Sequence, residues 1–178
     1  MYSAVDQQWM REALAQAHQA LYLSNPNPRV GCVIVRDGQI IAKGHTQKVG
    51  GPHAEVQALS DLHSQGLSCE GASIYVTLEP CPMCAGALLH ARLKRVVFAA
   101  PDPKTGAAGS VLNLFANPQI NHHTAVQGGV LADACRDQLQ HFFQARRASQ
   151  TFQRSSQQMN VRDDAVRTPE ARFENLPG

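Results

Sequence analysis

What this chain of 178 residues lacks narrows its function first. No apolar run approaches the ~18 residues that a membrane-crossing helix needs, so no membrane partner is expected. Met1 to Arg11 holds no cationic segment leading into an apolar one, so a secretory leader is not expected either. Neither sign of charge dominates. Sixteen Lys and Arg against fourteen Asp and Glu leave a net charge of +2, and basic residues cluster only locally, at Arg92-Leu93-Lys94-Arg95 and Arg146-Arg147. A dedicated duplex-binding domain is more basic, with its charge gathered together. Composition therefore permits a nucleic-acid substrate without pointing to one. Cysteine is too sparse for a disulfide framework, and its count of five is odd. Two of the five stand in C-x-x-C spacing, which speaks for a metal, a reducing compartment and a cytoplasmic location. No internal repeat is found.

What is present is a composition 43% hydrophobic, typical of a globular domain with a real core. Asp6 to Leu23 reads as an amphipathic helix with Trp9, Ala13, Leu14, Ala17 and Leu21 on one stripe. The two prolines of Ser24-Asn25-Pro26-Asn27-Pro28 end it. Strands are expected at Val30–Val35 and Ile40–Lys43, joined by an Asp37-Gly38 hairpin turn. Further strands are expected at Ser73–Leu78, Arg95–Ala100 and, as an edge, Thr124–Gln127. Helices are expected from His53 to about Gln65, Pro82 to about Ala91, and Leu131 to Arg147, the last burying Cys135, Leu139, Phe142 and Phe143. Alternation of this kind implies a three-layer α/β/α domain over residues 1–147, with its site where strands hand over to helices. Residues 148–178, rich in Ser, Gln and Arg, bury too little to offset ordering entropy and are expected to form a flexible tail.

Two short motifs carry the chemistry: His53-Ala54-Glu55 and Pro80-Cys81-Pro82-Met83-Cys84. A structural zinc takes four protein ligands, whereas a catalytic one takes three and keeps a position for water. His53, Cys81 and Cys84 make three, leaving the Glu55 carboxylate free to shuttle protons. Both motifs fall at expected helix starts, where the dipole and free N–H groups favour thiolate. Pro82 suits the first helical position, which has no use for its missing N–H. A redox pair would account for C-x-x-C but not for the histidine and glutamate. A closed structural zinc would need a fourth ligand such as Cys32 or Cys69. In the loop Asp102 to Ser110, Lys104 can neutralise a phosphate, and Asp102, an acceptor only, can accept a hydrogen bond from a ribose 2′-hydroxyl.

The pattern H-x-E…P-C-x-x-C is that of the zinc deaminases, and at these motifs the chain resembles the cytidine deaminase-like superfamily. From Tyr75 to Arg147 it is similar to bacterial tRNA adenosine deaminases. The similar stretches are Val76-Thr77-Leu78-Glu79-Pro80-Cys81-Pro82-Met83-Cys84-Ala85-Gly86-Ala87, Asp102 to Ser110, and Gly129-Val130-Leu131-Ala132-Asp133. The first third departs. Asn25 to Cys32 and Gly50 to Val56 resemble the deaminase domain of the riboflavin-biosynthesis deaminase–reductases. The tRNA enzymes carry a Val-Pro-Val-Gly segment where this chain has Pro28-Arg29-Val30-Gly31, an asparagine near Thr46, and a longer loop before the histidine. The riboflavin enzymes differ in turn, with a longer insert between their cysteines and a reductase domain for which the residues after Arg147 leave no room.

The resemblance implies a cytidine deaminase-like fold with a five-stranded mixed sheet. It also implies one zinc ion per subunit on His53, Cys81 and Cys84, and Glu55 as the catalytic proton shuttle. Ala54 would offer its backbone N–H to the base, and Asn27 would sit in the substrate pocket. The implied activity is adenosine-to-inosine conversion in a tRNA anticodon loop by a homodimer. One alternative keeps the chemistry and changes the substrate to a small pyrimidine or purine, such as the riboflavin-pathway aminopyrimidine, cytosine or guanine. Another is a non-catalytic, zinc-stabilised RNA-binding module, for which Glu55 would have no use.

Overall fold

The computed structural model describes residues 2–20, 24 and 26–166. Leu21 and Asn25 lie outside the described residues, as does the chain from Arg167 onward. The elements are α1 (Ala4–Gln19), β1 (Gly31–Arg36), β2 (Gln39–His45), α2 (Ala54–Ser64), β3 (Ser73–Leu78), α3 (Pro82–His90), β4 (Arg95–Ala100), β5 (Ala125–Gly128) and α4 (Ala132–Val166). The chain divides into a unit spanning Met1–Phe142 and a second spanning Phe143–Gly178.

The first unit is built on one five-stranded sheet of order β2-β1-β3-β4-β5. β1 pairs antiparallel with both β2 and β3, and β4 pairs parallel with β3 and with β5. The expected mixed sheet and layered α/β architecture are therefore present. Asp37 (φ 51°) and Gly38 (φ 72°) make the tight turn between β1 and β2 in the left-handed conformations that an Asp-Gly hairpin accepts. Alternation along the strands sends side chains to two cores. On one face Cys32, Ile34, Ile74, Val76 and Val96 pack with Ala58 and Leu62 of α2 and Ala85 and Leu88 of α3. On the other, Val33, Val35, Tyr75, Val97 and Ala99 pack with Met10 and Ala13 of α1 and Cys135 of α4.

Two elements differ from the sequence reading. The buried stripe of α1 is Asp6, Met10, Ala13 and Ala17, while Trp9 and Leu14 are only partly covered. α1 lies close to β1, where a Cβ at Gly31 would overlap the Ala13 carbonyl. α4 does not end at Arg147; its backbone is helical through Val166, where a flexible tail was expected. Between Val130 and Thr168 there is neither Gly nor Pro. With no helix breaker in the stretch, the helix continues even where composition is poor in apolar residues.

Asp6 is the costly member of the α1 stripe, and it is fully provided for. Arg95, at the start of β4, donates to both its carboxylate oxygens at 2.7 and 3.1 Å, and the Tyr75 hydroxyl donates at 2.9 Å. The Arg95 guanidinium holds the Asp6 carboxyl down at about 2, against the opposing effect of burial. Asp6→Asn should lower stability by about 2–3 kcal/mol at neutral pH, less than for a fully buried pair because Arg95 is partly exposed. For a domain of this size that is a melting temperature lower by roughly 5–10 °C. A depressed carboxyl stabilises the fold above its unfolded pKa, and the effect fades as pH falls toward 2. Thermal melts should show the gap between wild type and variant closing below about pH 4.

Candidate active site

The ends of β2 and β3, the approach to β1 and the loop after β4 meet at one edge of the sheet, because β1 runs opposite to β3 and β4. Backbone bonds to side chains fix this edge. The Thr77 hydroxyl accepts from Gly31 N at 3.1 Å, and the Thr46 hydroxyl accepts from Val30 N at 3.0 Å. A cleft of roughly 170 Å³ opens there, lined by Asn27, Pro28, Val30, Thr46, His53, Glu55, Leu78, Glu79, Cys81, Asp102 and Thr105.

Two helices begin at this cleft. His53 is the N-cap of α2 and Cys81 the N-cap of α3, with Pro82 at the helix start. Gly44 of β2 permits the first of these placements, since a Cβ there would overlap the Ala54 carbonyl. The imidazole and the thiols then converge. His53 Nδ1 stands 3.7 Å from Cys81 Sγ and 3.4 Å from Cys84 Sγ, and all three ligand atoms lie within 4.8 Å of one another. Zinc bonds of ordinary length at a tetrahedral angle put N and S about 3.6 Å apart. The set fits zinc, with three protein donors and no fourth among the described residues.

Of the three donor groups, Cys81 alone is favoured as the anion. Hydrogen bonding from Cys84, reinforced by His53, holds the Cys81 thiol at about 4. The Cys84 thiol is pushed up by the Cys81 sulfur that it bonds and by burial. His53 is raised by its bond to Cys81. Glu55, one residue into α2 from Ala54, is 3% exposed. Burial pushes its carboxyl up, the environment a proton carrier near neutral pH requires.

The remaining sequence-derived residues divide. Asn27 lines the cleft, and Ala54 is buried at the first position of α2, where its amide has no intrahelical acceptor. Asp102 also lines the cleft, but its carboxylate is engaged locally. Oδ1 accepts from Lys104 N at 2.9 Å and Thr105 N at 3.3 Å, and Oδ2 accepts from the Thr105 hydroxyl at 2.7 Å. Lys104 is exposed and not part of the cleft wall.

Sequence reasoning missed Glu79, which it took only as the end of β3. The side chain is 3% exposed and its carboxylate accepts from the amides of Asp102, Ala108 and Ser110. Burial pushes its carboxyl up, but the Ser110 hydroxyl and these amides outweigh that and hold it low. The available signal was a carboxylate at the end of an apolar strand, directly before the Pro-Cys motif.

Residues 3–100 match the family described as the cytidine and deoxycytidylate deaminase zinc-binding region. The tRNA-specific adenosine deaminase of Haemophilus influenzae is 41% identical over 160 residues, covering 86% of this chain and 91% of that protein. A structure solved in a study of A-to-I editing by tRNA:A34 deaminases is 33% identical, with a TM-score of 0.65 over 74% of this chain and 99% of that one. The riboflavin biosynthesis protein RibD of Acinetobacter baumannii is 41% identical, with a TM-score of 0.65 over 79% of this chain. The chain spans only 39% of that RibD. The chain belongs to the cytidine and deoxycytidylate deaminase zinc-binding family and is a hydrolytic deaminase whose metal is zinc.

Cys84→Ala should lose bound zinc, read by elemental analysis, and should melt at lower temperature, since metal affinity is partly folding energy. Zinc retained at one ion per chain would show that the ligand set is wrong.

Proposed function

We propose that the chain converts adenosine to inosine in the anticodon loop of a tRNA. The observation that carries this reading is the juxtaposition of a three-donor zinc set with a buried carboxylate in a cleft sized for one base. Likeness to a tRNA-specific adenosine deaminase over 86% of the chain supports it.

His53, Cys81 and Cys84 would hold the zinc, leaving a fourth position open. When bound, zinc supplies Lewis acidity that brings the pKa of water toward ~7. Glu55 takes a proton from the attacking water, delivers it to the ring nitrogen beside the reacting carbon, and returns a further proton to the departing amine. The C–O bond forms first, the exocyclic C–N bond breaks afterwards, and the remaining proton of the added hydroxyl leaves with the amine as ammonia. The Ala54 amide donates to the base, and Asn27, which lines the cleft, hydrogen-bonds base or ribose. Asp102 accepts from a ribose hydroxyl with the Oδ2 lone pair that its loop leaves open. Lys104, outside the cleft, neutralises a phosphate of the flanking strand.

RNA is met as a single-stranded loop, which spares the cost of unstacking a duplex. The chain acts as a homodimer in the cytoplasm. Supporting the dimer, the groove along α2 and α3 is lined by Leu59, Leu67 and Ala87, and Met83 on α3 is 56% exposed. Residues 1–147 carry the activity.

A second reading, deamination of a riboflavin-pathway aminopyrimidine nucleotide, draws on the likeness to RibD and on the segment Asn27-Pro28-Arg29-Val30 beside the cleft. One assay separates the two. An RNA hairpin with a loop adenosine should be deaminated faster than the matched DNA hairpin, with no turnover of the free nucleotide. Equal rates on RNA and DNA would remove Asp102 from the site. Turnover of the nucleotide alone would establish the second reading. A chain ending at Ser155 should keep the hairpin rate. Glu55→Ala should keep its zinc and lose about 10²–10⁴ in kcat; a near-wild-type rate would remove Glu55 from the proton path.

A further inference from the structure

We infer that Glu79 is a positioning residue: its buried carboxylate folds the 102–110 loop into the wall of the cleft and thereby sets how tightly substrate is held. The inference rests on reading this cleft as the substrate site.

Glu79 follows β3 directly and stands two residues before Cys81. Oε1 accepts from Ala108 N at 2.9 Å and Ser110 N at 3.1 Å. Oε2 accepts from Asp102 N at 2.9 Å and from the Ser110 hydroxyl. One carboxylate thus gathers four donors from both ends of the loop, in addition to the loop's own backbone bonds. The loop closes tightly enough that a Cβ at Gly106 would overlap the Glu79 carboxyl group. The neighbouring Pro80 carbonyl accepts from Ala107 N at 2.8 Å, so the grip continues along the chain. Asp102 and Thr105, the loop's contributions to the cleft, are bonded to each other through the Asp102 carboxylate. The wall hangs on Glu79 as a unit.

The donors demand a group that only accepts, which among neutral and anionic side chains of this length means an ionised carboxylate. Glutamine would keep one acceptor oxygen and turn an NH₂ group toward N–H donors. The reacting groups are held separately. Glu55 and His53 belong to the start of α2, and Cys81 and Cys84 to the start of α3. The Glu79 backbone is pinned by its own N–H to the Ala100 carbonyl at 2.8 Å. Losing the carboxylate should therefore loosen the substrate wall and leave the metal and the proton path in place.

The test uses the full zinc-loaded chain as wild type, Glu79→Gln and Ser110→Ala. Zinc content, amide hydrogen exchange at residues 102, 108 and 110, and steady-state kinetics on the RNA hairpin are measured together. Glu79→Gln should keep one zinc per chain and exchange those amides faster by about tenfold or more, having lost charge-assisted bonds. Its KM should rise about tenfold, with kcat within about threefold of wild type. Ser110→Ala, which removes one donor of four, should move KM in the same direction by about threefold, and it decides the matter if Glu79→Gln does not fold. Unchanged exchange, an unchanged KM, or a fall in kcat with KM intact would each overturn the inference. A wild type inactive on the hairpin would instead defeat the tRNA reading. The same variants compared on whichever nucleotide is turned over would then judge Glu79.

Discussion

The molecule depends on two helix N-termini being brought to the same point at the edge of a sheet. His53 caps one helix and Cys81 the other, so imidazole and thiolate stand where both helices present unpaired N–H groups and positive dipole ends. That field favours the Cys81 thiolate, which is held low, while burial still keeps the Glu55 carboxyl and the Cys84 thiol raised. The rest of the fold serves this convergence. The antiparallel β1 brings its start, and β2 its end, to the edge where β3 and β4 finish. Gly44 lets α2 press against the sheet closely enough for His53 to reach the cysteines.

Much of this was legible in the sequence because the decisive relations are short in range. Cys81 and Cys84 are three residues apart on a helix that Pro82 starts, and His53 and Glu55 flank a helix start in the same way. Ser73–Leu78 and Arg95–Ala100 have the bounds expected from their apolar runs. The Asp37-Gly38 turn is likewise a local matter. What could not be read was pairing across long separations. Asp6 looks like an ordinary polar residue of a helix until Arg95, 89 residues away, is placed beside it. The partners of Glu79 lie 23 to 31 residues downstream in a loop without regular structure. The loop itself was recognised, but which acid organises it depends on burial, and burial is not a local property.

The length of α4 was misjudged for a different reason. Poverty in apolar residues argues against packing, and the sequence reading treated it as an argument against helix. Those are separate questions when no glycine or proline intervenes. The stripe of α1 was misjudged by one position because periodicity fixes the spacing of a buried face better than its phase. Trp9 and Met10 are both apolar, and the fold buries Met10 and leaves Trp9 partly covered.

Thr46 occupies a position where a polar side chain could face the substrate, and its hydroxyl is already committed. It accepts from the Val30 amide and donates to the Val30 carbonyl at 3.4 Å, stitching β2's exit to β1's entry under the cleft. A side chain at 46 that turned its polar atoms toward a base would abandon a buried backbone amide, at a cost of about 1–3 kcal/mol. Reprogramming the enzyme for a different base at this position is therefore also a demand on its melting temperature. Lineages that drifted between substrates here would have had to acquire stability elsewhere beforehand, which orders the steps by which such specificity can change.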